Sequence, residues 1–462
     1  MKLYQMLTAV ASLALMSGGA SAMQRNIEPG QPPHQAARVA QPAIIHAGTL
    51  LAVPGERARR QATLVTQGGR VVAIHDGFRD AASLGLPTGT QVVDLSSKFV
   101  MPGFIDLHVH LTSGGIVGRN PGLRIRQPDE FYTLGAFSNA FDTLMAGFTT
   151  LRDLGSPGDS VFALRDAIKM GVVPGPNLVV SGGAISPTNG HGDAHGMRRD
   201  LLETQVRPGV CDGADDCRRA VRNAVKYGAD VIKVTVTGGV LSDSNSGTGQ
   251  QFTDEELKAI AETAHALGRK VTTHAHDKQG IDAAVRAGYD SIEHGMWADD
   301  ETLKLMKQHG TWLVPTVWPI SWVGTTPEAM RRGPFKDLPP NSMEKLIRLG
   351  SQPKKLVRDA IRIGTPVALG TDTGINPHGT NAQEFLEYVD AGMSPVEALK
   401  TGTVNAAAAA GLKDRGRLDP GLAADVIALD GDPVADINQV LNVNFVMRDG
   451  IVFKQAGHEV KE

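Results

Sequence analysis

His108 and His110 end the run Val-Met-Pro-Gly-Phe-Ile-Asp-Leu-His-Val-His over residues 100–110. On an extended strand, residues two apart share a face, so this spacing aims two imidazoles at one point. Neutral imidazole nitrogens suit a borderline-soft cation such as zinc. A chance histidine pair near a strand end would look the same, so the reading turns on partners elsewhere. Four further segments supply them: Lys233 in 230–236, His274 in 270–276, His294 in 290–295 and Asp372 in 366–374. Each lies at or near the end of a β-prone run, and in a parallel barrel such ends meet at one rim.

Lys233 narrows the chemistry. Alternation puts Val231, Lys233 and Thr235 on one face, with Ile232, Val234 and Val236 on the other. If the aliphatic face meets surrounding helices, Lys233 points inward. An ammonium there, beside two divalent cations, is both desolvated and repelled. Both effects favour the neutral amine, which can add carbon dioxide to become a carbamate, a two-oxygen anion able to bridge two metals. The alternative is a lysine that reaches solvent at the strand end.

The elements that must position these groups follow from texture. β-Prone runs at 103–110, 147–153, 177–182, 230–237, 269–276, 290–294, 311–317 and 366–372 are each followed by helix-compatible sequence. This alternation predicts an α/β fold, a (β/α)8 TIM barrel over residues 101–415. Helix punctuation agrees: Thr253 with Glu256 forms a capping-box pattern before Asp254 to Leu267, and Ser394-Pro395 with Glu397 opens another helix. A doubly wound sheet is the structural rival, but it would not bring these separated strand ends round one point. Residues 43–100 and 416–462 share short β-prone runs broken by Gly and Pro, so both chain ends are expected to build one small β-sandwich domain.

Residues 1–22 read as a signal peptide: Lys2 is the positive start, Leu7 to Met16 the apolar stretch, and Ala20-Ser21-Ala22 the cleavage pattern. Residues 23–42 are polar and Pro-rich, a flexible leader. The expected location is therefore periplasmic or secreted. The alternative, a membrane anchor, is disfavoured because the apolar run is well short of the ~20 residues that a spanning helix needs. No later run is long and apolar enough either, so no membrane association is expected after signal removal. With 46 Lys+Arg against 49 Asp+Glu, the net charge of −3 gives no reason to expect a nucleic-acid partner. The two cysteines, Cys211 and Cys217, flank a short acidic loop; an exported protein could bridge them, and two free thiols fit the sequence equally well.

Substrate contacts are expected on the segment 181–195, a rim loop after the third strand. His191 could donate to a substrate carbonyl oxygen, and His195 could approach a carboxylate or simply sit in a solvated loop. His276 shares the face of His274 one layer nearer the rim, and Ser113, beside Gly114 and Gly115, could shape the pocket.

Taken with the approach to His108 and His110 and the split β-domain, the chain resembles the amidohydrolase superfamily, in its binuclear branch with a carboxylated lysine, over nearly its whole mature length. The resemblance implies that His108, His110 and Asp372 hold one divalent metal and His274 and His294 the other, with N6-carboxylated Lys233 between them and zinc as the expected ion. It implies hydrolysis by a hydroxide held between the metals, with Asp372 taking its proton and passing it to the leaving nitrogen; a ligand-only role for Asp372 is the alternative. The stretch Thr237-Gly238-Gly239-Val240 and the Cys-Asp-Gly-x-x-x-Cys segment look like the dipeptidase group within the superfamily. The chain is also similar to bacterial amidohydrolases that cleave the phenylalanine amide of ochratoxin A. Both likenesses imply an amide next to a free carboxylate, in a dipeptide or an N-acyl-L-amino acid. They also imply a homo-oligomer, with an octamer as one form. The competing readings are a cyclic-amide hydrolase, a mononuclear deaminase, which would not need Lys233, and a non-catalytic periplasmic binding protein.

Overall fold

The computed structural model describes residues 40–114, 126–156, 158–204, 207–242 and 247–460. The expected signal peptide, the leader up to residue 39 and Gly115 lie outside the described residues. The chain opens with β1 (Ala43–Leu50), β2 (Arg59–Gln67), β3 (Arg70–Asp76) and β4 (Gln91–Pro102). It continues through β5 (Phe104–Val109), β6 (Phe148–Asp153), β7 (Asn177–Val180), β8 (Val231–Thr235), β9 (Lys270–Ala275), β10 (Ser291–His294) and β11 (Trp312–Val314), and ends with β12 (Val426–Leu429), β13 (Val443–Arg448), β14 (Ile451–Gln455) and β15 (His458–Glu459).

Both chain ends share one eight-stranded sheet, in the order β15-β14-β13-β12-β4-β1-β2-β3. Its strands alternate in the manner of a two-faced sheet. Ile45 and Ala47, Ala62 and Leu64, Val93 and Leu95, Val426 and Ala428, and Phe445 and Met447 form one apolar cluster. Phe99, Met101, Ile427, Leu429 and Val446, offset by one residue, join the main core with the β/α part of the chain. The far edge curls back: Arg70 bridges Ala423 just before β12, so the sheet closes over its own apolar face.

The middle of the chain is mixed α/β and barrel-like. Parallel β5-β6-β7 and parallel β8-β9-β10-β11 form two sheets. Ile185 links them on one side, donating its N–H to the Lys233 carbonyl (2.8 Å) and accepting from Thr235 N (2.9 Å). On the other side the segment 366–373 bridges Leu313 through Val367 and Val109 through Thr373. The eighth expected strand is therefore present as bridge-paired extended chain and not as a ladder. Its pairing is broken up: Leu369 donates its N–H to the Thr401 carbonyl (2.9 Å), and Asp372 near the end has a left-handed backbone (φ 51°).

Helices follow the strands as the caps predict. Both capping boxes form, Thr253 with Glu256 and Ser394 with Glu397. The helix Asp254–Ala266 buries Leu257, Ile260, Ala261 and Ala264, one stripe at helical spacing. Among the described residues, no helix is long and apolar enough to cross a membrane.

Candidate metal centre

The strand ends bring the sequence-identified imidazoles into one buried cluster. Ring centroids lie 5.2 Å apart for His108 and His110, 5.0 Å for His108 and His294, and 4.6 Å for His274 and His294. His108, His294 and Asp372 each offer a ligand atom within 4.8 Å of the others. His110 belongs with them, since its Nε2 lies 3.1 Å from Asp372 Oδ1.

Outer contacts decide which nitrogen each ring presents. His108 Nδ1 lies 2.9 Å from Glu293 Oε2, His110 Nδ1 lies 3.2 Å from the Gly155 carbonyl, and His294 Nδ1 lies 2.7 Å from Thr316 Oγ1. A ring that donates through Nδ1–H keeps its Nε2 lone pair free. In those neutral tautomers the Nε2 atoms of His108 and His110 face Asp372 Oδ1 at 3.5 and 3.1 Å, acceptor against acceptor; against burial, the Asp372 carboxylate pulls the His110 ring above its ordinary value. A cation between them resolves that conflict. The buried Nε2 of His274 likewise has no hydrogen-bond partner among the described residues. This nitrogen and carboxylate set fits a divalent metal such as zinc.

Lys233 is buried on β8, facing away from the core that takes Ile232 and Val234, and no described residue forms an ion pair or hydrogen bond with its Nζ. Burial pushes its ammonium down to about 8, against the pull of Glu293 and Asp372. Burial and Lys233 lower His108 to about 4, burial lowers His276 to about 4, and burial with His276 lowers His191 to about 3. His274 and His294 fall well below their ordinary value for the same first reason, burial. These rings are therefore neutral near pH 7 and have lone pairs to offer. Burial would raise Asp372, but His108 and His110 hold its carboxyl below the ordinary value.

Several supporting residues escaped the sequence reading. Glu293, next to His294, is fully buried; besides His108 it meets Arg152 Nη2 at 2.8 Å, Ser291 Oγ at 2.8 Å and the Thr272 hydroxyl. Burial would raise its carboxyl, but Arg152 and His108 hold it down at about 2. Asp106 accepts from His108 N (2.9 Å), Thr371 N (3.1 Å), Thr371 Oγ1 (2.6 Å) and Asn381 Nδ2 (2.7 Å), tying the first strand to the eighth segment. A signal was present: Arg152 and Glu293 are charges within runs expected to form interior strands, and a buried charge normally demands a partner.

The proposed substrate contacts separate. His191 packs on His274 with centroids 4.2 Å apart, and its buried Nδ1 has no hydrogen-bond partner among the described residues. Gly239 makes room for it, since a Cβ there would overlap the His191 ring. His276 stacks on His294 (5.1 Å) and meets Trp297 (5.8 Å). Ser113 sits at the rim, where a Cβ on Gly374 would lie 3.2 Å from its own. His195 does not join the cluster; its Nε2 reaches the Gly190 carbonyl at 2.7 Å and fastens the loop that carries His191. Cys211 and Cys217 form a disulfide, and Asp212 beside it holds Thr188 by its N (3.1 Å) and Oγ1 (2.6 Å), anchoring the same loop.

A barrel-like α/β fold with imidazoles and one aspartate converging at its strand ends is the architecture of metal-assisted hydrolases. The chain matches the amidohydrolase family model over residues 99–452. It is 34% identical over 447 residues to ochratoxinase of Aspergillus niger, covering 90% of this chain and 87% of that one. Among solved structures it is similar to a Xaa-Pro dipeptidase with methionine bound in its active site, at a TM-score of 0.83 and 35% identity, over 89% of this chain and all (100%) of that one. It is also similar to a prolidase complexed with N-methylphosphonate-L-proline, at a TM-score of 0.78 and 29% identity, over 90% of this chain and 100% of that one. The chain belongs to the amidohydrolase family. It is dipeptidase-like and a hydrolase acting on C–N bonds, which sets aside the non-catalytic binding protein.

Proposed function

We propose that the protein hydrolyses the amide bond next to a free carboxylate in dipeptides or N-acyl-L-amino acids, including the phenylalanine amide of ochratoxin A. The observation that carries this reading is the buried Lys233 amine, without an ion pair among the described residues, amid Nε2 lone pairs and the Asp372 carboxylate. His108, His110 and Asp372 would hold one divalent ion, His274 and His294 a second, and N6-carboxylated Lys233 would lie between them. Two such ions, when bound, lower the pKa of water and polarise a carbonyl oxygen. Asp372 takes the proton from the attacking water and passes it to the leaving nitrogen. His191 donates to the substrate carbonyl oxygen, and Gly239 keeps it in place. His276 and Trp297 form a wall beside the metals, and Ser113 bounds the opposite rim.

The bridges through Ile185 and 366–373 support a closed (β/α)8 barrel, and the curled terminal sheet supports a two-layer β-domain beside it. We further propose export to the periplasm or medium, which the disulfide supports, and assembly as a homo-oligomer, with an octamer as one form.

The test is a hydrolysis panel of dipeptides, N-acyl amino acids, ochratoxin A and hydantoins, run with metal analysis. Turnover of the hydantoins alone would move the assignment to a cyclic-amide hydrolase. Lys233→Ala should lose metal and activity and recover part of both with short carboxylic acids. Unchanged metal content and turnover in that variant would sink the carbamate.

A further inference from the structure

Glu384 is a fully buried acid away from the convergent ligands. It lies in the first turn of the helix Gln383–Asp390 and accepts from two consecutive amides after β11, Val317 N and Trp318 N, each at 2.7 Å. The residue before them is Thr316, held at φ 50°, a left-handed conformation that a β-branched residue adopts only under constraint. That turn aims Thr316 Oγ1 at His294 Nδ1, 2.7 Å away. The loop is further tied by Trp318 Nε1 to Thr380 Oγ1 (3.1 Å), next to Asn381, which reaches Asp106 behind His108.

We infer that Glu384 is a positioning residue for the metal site: by gripping the amides of Val317 and Trp318 it holds Thr316 in its strained turn, and Thr316 fixes the ring orientation and tautomer of His294. The inference rests on the proposed binuclear reading. It assigns work to an acid outside the cluster of convergent side chains. Burial pushes its carboxyl up to about 8 against the pull of the two amides, so the group has no solvation to fall back on if they are lost.

The experiment is metal analysis of Glu384→Gln, Thr316→Val, Thr316→Ser and the Glu384→Gln/Thr316→Val double variant, dialysed against a graded zinc chelator, with melting curves to confirm folding. Glu384→Gln and Thr316→Val should each weaken one of the two ions by about tenfold or more, leaving the other at parental affinity. Thr316→Ser keeps the hydroxyl and should hold both ions. The double variant should be no weaker than Thr316→Val alone, because the two residues act through one contact. Parental affinity in Glu384→Gln or Thr316→Val, or losses that add in the double variant, would overturn the inference. If Glu384→Gln does not fold, Glu384→Asp, which keeps the carboxyl group but shortens the reach, takes its place with the same expected loss. A parent that binds a single ion refutes the binuclear reading instead, and the positioning role is then read from that ion's affinity; a parent that binds none refutes both.

Discussion

At the residue scale, the site depends on oxygens that choose a nitrogen. Glu293 accepts from His108 Nδ1 and is itself held by Arg152, so the ring presents Nε2 to the centre. Glu293→Gln keeps the shape but gives up the charge that orients His108, and metal affinity should fall by about 10–100-fold, measured by chelator competition. Retained affinity would mean that Glu293 serves the fold alone. The convergent side chains themselves were legible in the chain because strand alternation and position at strand ends are local properties. Their supporters were not: Thr316 is an ordinary threonine in sequence, and only its backbone conformation and its 2.7 Å contact with His294 mark it.

At the element scale, loops deliver the groups that would meet substrate. Gly239, after β8, leaves space for His191, and Gly239→Ala would push the ring aside. A displacement of that size can cost up to about 100-fold in kcat/KM, and metal content should stay unchanged. Normal turnover in that variant would remove His191 from the reaction. At the opposite end of the strands, Asp290 joins β9 to β10, accepting from Lys270 Nζ (2.7 Å), Val271 N (2.9 Å) and His265 Nε2 (2.9 Å). Burial alone would raise its carboxyl, but Lys270, the Val271 amide and His265 hold it below its ordinary value. A depressed carboxyl stabilises the fold above its unfolded pKa and loses that contribution as pH falls through the folded value. Asp290→Asn should therefore cost about 1–3 kcal/mol at neutral pH in denaturant melts, with the gap to the parent narrowing below about pH 4. A pH-independent gap would assign the loss to packing.

At the scale of the whole molecule, the candidate ligands come from both sheets of the barrel-like part, β5 in one and β8, β9 and β10 in the other, with Asp372 on the segment that bridges them. Bound metal should therefore stabilise the entire fold by mass action, by about 4 kcal/mol when free metal is a thousandfold above Kd. Chelation should lower the melting temperature, and added zinc should restore it; identical melts with and without chelator would mean that the cluster holds no ion.

The sequence by itself determined the alternation of strands and helices, which imidazoles converge with Asp372, the sharing of the terminal strands and both capping boxes, because periodicity and capping are written within a few residues. Tertiary structure decided how the eighth segment pairs, how Cys211 and Cys217 connect, that His195 secures a loop, and that Glu293, Arg152, Thr316 and Glu384 stand behind the ligands. The disulfide and the His195 contact are short-range but depend on how their loops fold; the others join residues tens to hundreds of positions apart, and no local pattern records which strand end or loop will meet which.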